Sequence, residues 1–367
     1  MMKRTKQSEF MEWAKLHSQA RFNLASSGVL NVPASEFPLR IDDFEITGAD
    51  GYGYEPLQQR IARHCGVLPE GVVAANGTSM ANHLAMAALI EPGDEVVIEQ
   101  PAYGPLVDVA NYLGARVKRF ARRFENDFAI DVDEIEKAIT PATRLVVLSN
   151  LHNPSGALTS EQTLRALAEI AARAGVHILV DEVYIETIFD QPPPFAFAIG
   201  QAPARENPFI ITNSLTKMYG LSGLRCGWIL AAPAIAQRIW RLNDLFGVNA
   251  AQPAERLSVV AFDHLEQFRK RARTLLATNR SVLDSFLESR NDLECFRPPA
   301  GTVVFPRFTR ANPDKFLQLL RDEYETSVVP GKFFDMPEHF RIGIGGDTEN
   351  LRAGLERLGS ALDESRK

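Results

Sequence analysis

Short apolar runs alternate with segments of helical periodicity between residues 72 and 230, and this alternation constrains the fold more than any other feature of the chain. Each run is short and rich in β-branched residues, which is typical of buried strands. The runs are EVVIE (95–99), RLVVLS (144–149), HILVDEV (177–183), FIITNS (209–214) and GWILA (227–231). Strands that alternate with helices predict a mostly parallel sheet covered by helices on both faces.

One of the intervening helices is predicted at Thr159–Ala174. Thr159 and Gln162 have the spacing of a capping box, and Gly175 stands where a helix should end. After residue 232 a stretch rich in Arg, Glu and Leu predicts helices, with Pro253 as a break or a helix start. Strands are fewer there, which indicates a smaller α+β region. A chain of 367 residues is too long for one comfortable core, so we expect about two domains.

Charge and hydropathy exclude several classes of partner. The net charge of −6 argues against nucleic acid or an anionic membrane as the main partner. The longest apolar stretches, such as residues 84–90 and 228–236, are much shorter than the ~20 residues that span a bilayer. The N-terminal residues lack the apolar core of a signal peptide. We therefore expect a cytoplasmic protein whose cysteines, Cys65, Cys226 and Cys295, are reduced thiols.

Lys217 lies just past the predicted strand 209–214, in a glycine-rich segment. An arbitrary lysine in such a place would be a solvated loop residue. Here Ser214 precedes it by three residues and Arg225 follows it by eight, and a hydroxyl with a guanidinium suits a phosphate group. Cationic or apolar neighbours also make a lysine lose its proton readily, as an imine-forming nucleophile must.

Asp181 ends the apolar run HILV, so its carboxylate is predicted to be desolvated. Such a charge is costly unless it is paired. A protonated ring nitrogen is one suitable partner, and a lysine or a helix N-terminus is the alternative. Tyr184, three residues on, could point the same way or could be a packed aromatic residue.

Two further segments follow or precede predicted elements. Asn153, in the turn LHNPSG, could reach a ligand oxygen or serve the turn alone. Gly77, Thr78 and Ser79 open a helix, where they could bind an anion or act as ordinary caps. No metal site is expected, since His152 has no second ligand at a suitable spacing.

Together and in this order, these segments resemble the class I/II aminotransferases, which are fold-type I enzymes dependent on pyridoxal 5'-phosphate (PLP). The resemblance runs from about Gly51 to the C-terminus, on the motifs NGTS, PAYGP, NLHNPSG, DEVY and SLTKMYGLSGLRCGW. It implies an α/β fold with a mostly parallel seven-stranded sheet covered by helices, plus a smaller α+β domain. Residues 1–45 would join the small domain, residues 46–270 would form the large PLP-binding domain, and residues 271–367 would form the small C-terminal domain.

The resemblance also implies a role for each residue near the cofactor ring. Lys217 would form the internal aldimine with PLP and then shuttle a proton between the substrate Cα and the cofactor. Asp181 would keep the pyridine nitrogen protonated. Asn153 and Tyr184 would hydrogen-bond the phenolic oxygen of the ring, and Tyr103, in PAYGP, would stack on its face.

The remaining implied roles concern the substrate and the phosphate. Arg341, in FRIGIG, would grip the substrate α-carboxylate. Asn153, Ser27 and Gly28 would line the substrate pocket. The implied phosphate ligands are Gly77, Thr78, Ser79, Ser214 and Arg225.

A homodimer with shared active sites is also implied. Tyr52, in GYGYEPL, resembles the tyrosine that reaches the phosphate of the neighbouring subunit, and Tyr54 is a rival for that role. The resemblance implies an aminotransferase that moves an amino group between an L-amino acid and a 2-oxo acid. The alternatives are a PLP-dependent lyase or cyclase of the same fold, similar to 1-aminocyclopropane-1-carboxylate synthase, β-lyases or capreomycidine synthase, and a non-catalytic PLP-binding module.

Overall fold

The computed structural model describes residues 4–48, 51–200, 207–309 and 313–365. The strands, in chain order, are β1 (Phe22–Asn23), β2 (Val72–Asn76), β3 (Glu95–Gln100), β4 (Arg116–Ala121), β5 (Thr143–Ser149), β6 (His177–Asp181), β7 (Phe209–Ser214), β8 (Cys226–Leu230), β9 (Leu293–Glu294), β10 (Val303–Val304), β11 (Arg307–Phe308), β12 (Thr326–Ser327), β13 (Val329–Pro330) and β14 (Phe340–Gly343). The α-helices are α1 (Glu9–Leu16), α2 (Glu55–Cys65), α3 (Gly77–Leu89), α4 (Gly104–Leu113), α5 (Val132–Ala138), α6 (Glu161–Ala174), α7 (Ala196–Ile199), α8 (Pro233–Asn243), α9 (Gln252–Asp263), α10 (Leu265–Glu288), α11 (Pro313–Asp322) and α12 (Thr348–Glu364).

The central sheet has seven strands in the order β2-β8-β7-β6-β5-β3-β4. Only β8 runs antiparallel to its neighbours, β2 and β7. The other pairs are parallel, which confirms the mostly parallel sheet. All five apolar runs form strands of this sheet, although β6 ends at Asp181, two residues before the predicted end.

The middle residues of the interior strands are apolar because helices cover both faces of a parallel sheet. The side chains of residues 145–148 in β5 and 209–211 in β7 are all buried. The edge strand β4, RVKRFA, was not predicted, because its charged residues hide the strand pattern. Among the described strands it pairs only with β3, and most of its side chains are partly exposed.

Helix α6 confirms the predicted helix but corrects its start. The N-cap is Ser160, whose Oγ accepts from the backbone N–H of Thr163 at 3.0 Å. The capping box predicted for Thr159 and Gln162 is therefore wrong by one residue, since the N–H of Thr159 instead donates to Asn150 Oδ1 at 2.9 Å. The helix ends as predicted at Gly175, whose φ of 68° lies in the left-handed region.

The C-terminal part of the chain combines long helices with short strands. Pro253 stands in the first turn of α9, so it marks a helix start. Strands β10, β14 and β13 form a small antiparallel sheet, and β9 pairs with β11. Across the described residues, no helix is long and apolar enough to cross a membrane.

An N-terminal segment, residues 22–30, connects this part of the chain to the central sheet. Strand β1 pairs in parallel with β12, and Gly343 N–H donates to the Leu24 carbonyl at 2.7 Å. On the other side, Val29 N–H donates to the Lys217 carbonyl at 2.8 Å. The segment therefore fixes the distance between β14 and the loop that follows β7.

Candidate active site

A cavity of about 780 Å³ opens at the carboxyl ends of β5, β6 and β7, where open parallel sheets bind ligands. The turns after these strands bring together residues that are far apart in the sequence. The predicted site residues that line the cavity are Ser27, Thr78, Ser79, Tyr103, Asn153, Asp181, Tyr184, Ser214, Lys217, Arg225 and Arg341. The fold therefore places most of the predicted site residues around one space.

Asp181 is the last residue of β6 and is only 5% exposed. Its carboxylate accepts from Asn82 Nδ2 at 2.9 Å and from the backbone N–H of Val183 at 3.2 Å. Burial raises the pKa of this carboxyl group to about 6, although these two hydrogen bonds and the charge of Lys217 lower it. A carboxylate in this setting is suited to a cationic ligand group.

Asn82 is a site residue that the sequence analysis missed. It lies on α3, four residues after Thr78, and both side chains line the cavity. Its Oδ1 accepts from Thr212 Oγ1 at 2.6 Å, which fixes the amide so that Nδ2 points to Asp181. The one sequence signal was the helical spacing from Thr78, which places both residues on the same face.

Lys217 follows β7, and its Nζ donates to Ser27 Oγ at 2.9 Å. Ser27 was predicted to line the substrate pocket, and the structure places its hydroxyl on the lysine. Gly28 packs against the backbone of Lys217 and lines a separate cavity of about 390 Å³. The predicted pocket residues Ser27 and Gly28 thus both contact Lys217.

The N-terminus of α3 and the arginine segment form a tight cradle. Gly77 has φ +73°, and a Cβ there would overlap the Arg225 guanidinium. A Cβ on Gly227 would overlap the backbone of Gly77. The hydroxyl oxygens of Thr78 and Thr216 are buried and have no hydrogen-bond partner among the residues that the structure describes. Buried hydroxyls beside a guanidinium and a helix N-terminus provide the donors that a phosphate needs, so these residues fit such a group.

Arg341, on β14, is 2% exposed. Its Nη1 donates to Asn153 Oδ1 at 2.8 Å and its Nη2 donates to the Ala25 carbonyl at 3.1 Å. Both acceptors are neutral oxygens. A buried guanidinium with neutral partners gains most from an anion that can accept from two of its N–H groups.

Asn153 is held by a buried network that the sequence analysis also missed. Its backbone N–H donates to Ser149 Oγ at 2.9 Å, and this hydroxyl donates to Glu99 Oε1 at 2.6 Å. Glu99 pairs with Arg122 at 2.8 Å, and both side chains are fully buried. The signal available in the sequence was the glutamate at the end of EVVIE, a charge in an apolar strand.

The tyrosines occupy different positions. The ring of Tyr103 packs edge-on against Phe10, with the centroids 5.4 Å apart, and Tyr184 is buried at the cavity wall. Tyr52 lies outside the cavity lining and is 50% exposed. Its hydroxyl donates to Asp244 Oδ2 at 3.1 Å, so its role in a neighbouring subunit remains a prediction.

Comparisons with known proteins agree with this geometry. The aminotransferase class I and II family matches residues 47–358. Capreomycidine synthase from Streptomyces vinaceus is 30% identical over 94% of this chain and 90% of its own length. Arginine–pyruvate transaminase from Pseudomonas aeruginosa is 30% identical over 84% of this chain and 81% of its own. A PLP-dependent aminotransferase structure from Streptococcus suis superposes with a TM-score of 0.90 at 27% identity and 99% coverage of both chains, which confirms the predicted fold class.

Glu182, next to Asp181 in the chain, is fully buried and is not part of the cavity lining. Its two carboxyl oxygens accept from the N–H of Ala196 at 3.1 and 3.3 Å. Burial, helped by the nearby charges of Glu186 and Asp181, raises the pKa of Glu182 to about 8, although the hydrogen bond from the Ala196 N–H lowers it. This side chain is therefore protonated in the folded protein at neutral pH.

We predict that this carboxyl group makes the protein less stable as the pH rises. The folded state keeps a proton that the unfolded state loses above the ordinary pKa of 4.5, so raising the pH up to about 8 favours unfolding. Compared with Glu182→Gln, the parent should lose about 1.4 kcal/mol of unfolding free energy per pH unit in this window. Urea denaturation at a series of pH values measures the difference.

The matched control is Glu169→Gln, which changes an exposed carboxylate on α6. Its stability difference from the parent should stay constant over the same pH window. A pH-independent difference for Glu182→Gln as well would show that the Glu182 carboxyl group is not held protonated.

Proposed function

The chain belongs to the aminotransferase class I and II family, and on this premise we propose that it is a PLP-dependent aminotransferase that moves an amino group between an L-amino acid and a 2-oxo acid. The observation that carries the proposal is the convergence of Lys217, Asp181 and the buried Arg341 on one cavity. The transaminase from Pseudomonas aeruginosa and the aminotransferase structure from Streptococcus suis support it.

The cavity has a suitable group for each part of the cofactor that the family implies. Asp181 would hold a proton on the ring nitrogen, because a desolvated carboxylate is stabilised by an adjacent cation. Thr78, Ser79, Ser214 and Arg225 would bind the phosphate at the start of α3. When bound, PLP supplies an electron sink for the pair of electrons left at the substrate Cα when a bond to that carbon breaks.

Lys217 would serve both as the attachment point and as the proton carrier. Its Nζ has the Ser27 hydroxyl as its hydrogen-bond acceptor at 2.9 Å, which orients the amine within the cavity. After the substrate amine has displaced it, the free Nζ would take the proton from the substrate Cα and return one during the same half-reaction. Tyr184 and Asn153 line the cavity on the side of β5 and β6, where they would orient the ring through its phenolic oxygen.

Arg341 would bind the substrate α-carboxylate. Its guanidinium is desolvated, and its present acceptors, Asn153 Oδ1 and the Ala25 carbonyl, are neutral. A carboxylate would replace weaker partners with a charge-assisted, two-pronged contact. The hydrogen bonds that link Asn153 to Ser149 and Ser149 to Glu99 would keep the side chains of Asn153 and Arg341 in their relative positions.

A homodimer is part of the proposal, with Tyr52 reaching the phosphate of the neighbouring subunit. Large apolar side chains are exposed at Ile41 and Ile46, shortly before Tyr52 in the chain, and at Leu245. Tyr52 is hydrogen-bonded to Asp244, next to Leu245. Burial of these exposed apolar side chains in a dimer would be favourable, which supports this part of the proposal.

A PLP-dependent lyase or cyclase is the second candidate. The similarity to capreomycidine synthase extends over more of this chain than the similarity to the transaminase, at the same identity. Lys217, Asp181 and Arg341 could serve either reaction, because the bond that breaks is the one held perpendicular to the cofactor ring. The reaction products therefore distinguish a transaminase from a lyase or cyclase.

We predict that a screen of L-amino acids, without an added 2-oxo acid, will give pyridoxamine phosphate and a 2-oxo acid in equal amounts and no ammonia. Absorbance follows the cofactor, and a separate assay measures ammonia. Lys217→Ala should form neither product, because the proton carrier is absent. Ammonia released together with a 2-oxo acid would contradict transamination and support the lyase.

We also predict that Arg341→Ala raises the KM for amino donors roughly a hundredfold, because two charge-assisted hydrogen bonds are lost. Retention of PLP should not change, because Asn153, which loses its contact with Arg341, is still held by Ser149 Oγ through its backbone N–H. Arg341→Lys should recover only part of the loss, because an ammonium lacks the planar fork. Steady-state kinetics and a PLP titration measure the two effects.

Arg352→Ala is the matched control, since Arg352 is an exposed arginine of α12. It should leave both the KM and PLP binding unchanged. Loss of PLP from Arg341→Ala with an unchanged KM would show that Arg341 does not hold the carboxylate.

A further inference from the structure

The cavity extends beyond the residues that would hold the cofactor and the carboxylate. Its outer part is lined mainly by the N-terminal helix α1 and the residues that follow it. The side chains from this region are Phe10, Met11, Trp13, Ala14, Lys15, Ser18 and Gln19, and Val329 faces them from β13. This part of the cavity, the α1 pocket, has no role in the reaction as described so far.

Aromatic contacts anchor α1 over the cavity. The Phe10 ring packs edge-on against Tyr103, at 5.4 Å between centroids, and lies 5.9 Å from Phe334. Trp13 packs against Phe333 at 5.5 Å. After the helix, the Ser18 carbonyl accepts from Ser327 Oγ at 2.7 Å. The helix is therefore a fixed wall of the site.

One face of α1 is turned to the α1 pocket. Met11, Ala14 and Lys15 share this face at helical spacing, and Ser18, two residues past the end of the helix, also lines the cavity. The Tyr103 hydroxyl lies 3.6 Å from Met11 Sδ, so Met11 stands directly beside the predicted ring-stacking residue. Phe10 lies near the predicted carboxylate-binding residue, since the Arg341 guanidinium is 5.9 Å from the centroid of the Phe10 ring.

These contacts set the direction of a bound amino acid. With its carboxylate on Arg341 and its amine near Lys217, the side chain of an amino acid is left with the part of the cavity that α1 lines, the α1 pocket. We infer that α1 is the specificity-determining element of the site, and that the preferred donor has a large apolar or aromatic side chain. This inference rests on the proposed function for the positions of the carboxylate and the amine.

The chemistry of the α1 pocket supports an apolar occupant. Met11, Trp13, Ala14 and Val329 offer apolar surface that a large side chain would cover. The charged side chain that α1 adds to the lining is Lys15, which is exposed at the mouth. Because this ammonium is exposed, it changes the affinity for a charged side chain of either sign only slightly, so the apolar lining sets the preference.

The test compares Met11→Glu with Leu16→Glu in the PLP-loaded protein. Both place a carboxylate on α1, but Leu16 is 65% exposed and lies outside the cavity lining. Calorimetry measures the affinity for 3-phenylpropanoate, 5-guanidinopentanoate, pentanedioate and acetate, each of which carries a carboxylate but no reactive amine. The same variants are assayed for kcat/KM with L-phenylalanine, L-leucine, L-arginine and L-glutamate.

We expect the parent to bind 3-phenylpropanoate more tightly than 5-guanidinopentanoate. Met11→Glu should reduce this preference roughly tenfold or more. The phenyl group of 3-phenylpropanoate would desolvate the new carboxylate without pairing with it, whereas the guanidinium group of 5-guanidinopentanoate would pair with it. Leu16→Glu should preserve the parent preference. Ala14→Phe, which fills the α1 pocket without adding charge, should weaken 3-phenylpropanoate binding roughly tenfold and leave acetate binding unchanged.

Two results would overturn the inference. Tighter binding of 5-guanidinopentanoate or of pentanedioate by the parent would exclude an apolar preference. Equal changes in Met11→Glu and Leu16→Glu, with no effect of Ala14→Phe, would exclude α1 as the wall of the side-chain pocket. Binding preferences as expected, with no turnover of any donor, would support the α1 pocket and contradict the proposed function instead.

Discussion

Two buried and opposite charges, Asp181 and Arg341, line the same cavity but do not pair with each other in the described structure, and this arrangement constrains the whole site. The carboxylate is held by an amide and a backbone N–H, and the guanidinium is held by two neutral oxygens. An isolated charge in such a place costs several kcal/mol. A ligand that brings a cation to one end and a carboxylate to the other would offset both costs, and this requirement selects the chemistry that we propose.

The fold holds these charges apart through two connections. The parallel strands end at one edge of the sheet, which fixes Asp181 relative to Asn153 and Lys217. Residues 22–30 then link Lys217 to β14, the strand that carries Arg341, by backbone hydrogen bonds on both sides. A shift of this segment would therefore move the amine and the guanidinium together. The buried ion pair of Glu99 and Arg122 supports the same region, because Glu99 holds Ser149, which in turn holds Asn153.

Local patterns predicted much of this architecture. The apolar runs gave the interior strands because burial on both faces leaves a continuous apolar sequence, and Lys217 was found because its neighbours suit a phosphate. What was missed depends on contacts that are distant in the sequence. Asn82 reaches Asp181 across ninety-nine residues, and α1 is held at the cavity by contacts such as Phe10 with Tyr103 and Trp13 with Phe333. The cap of α6 was misplaced because Thr159 and Ser160 are equally suitable, until Asn150 engages the Thr159 N–H.

The central claim, that Lys217 holds PLP, is tested most directly by chemical trapping. Borohydride reduces an imine between a lysine and the cofactor to a stable secondary amine, and peptide mass spectrometry then locates the added mass. We expect that mass on the peptide that contains Lys217, and no labelled peptide from Lys217→Ala. Labelling of a different lysine in the parent, or undiminished labelling of the variant, would contradict the account.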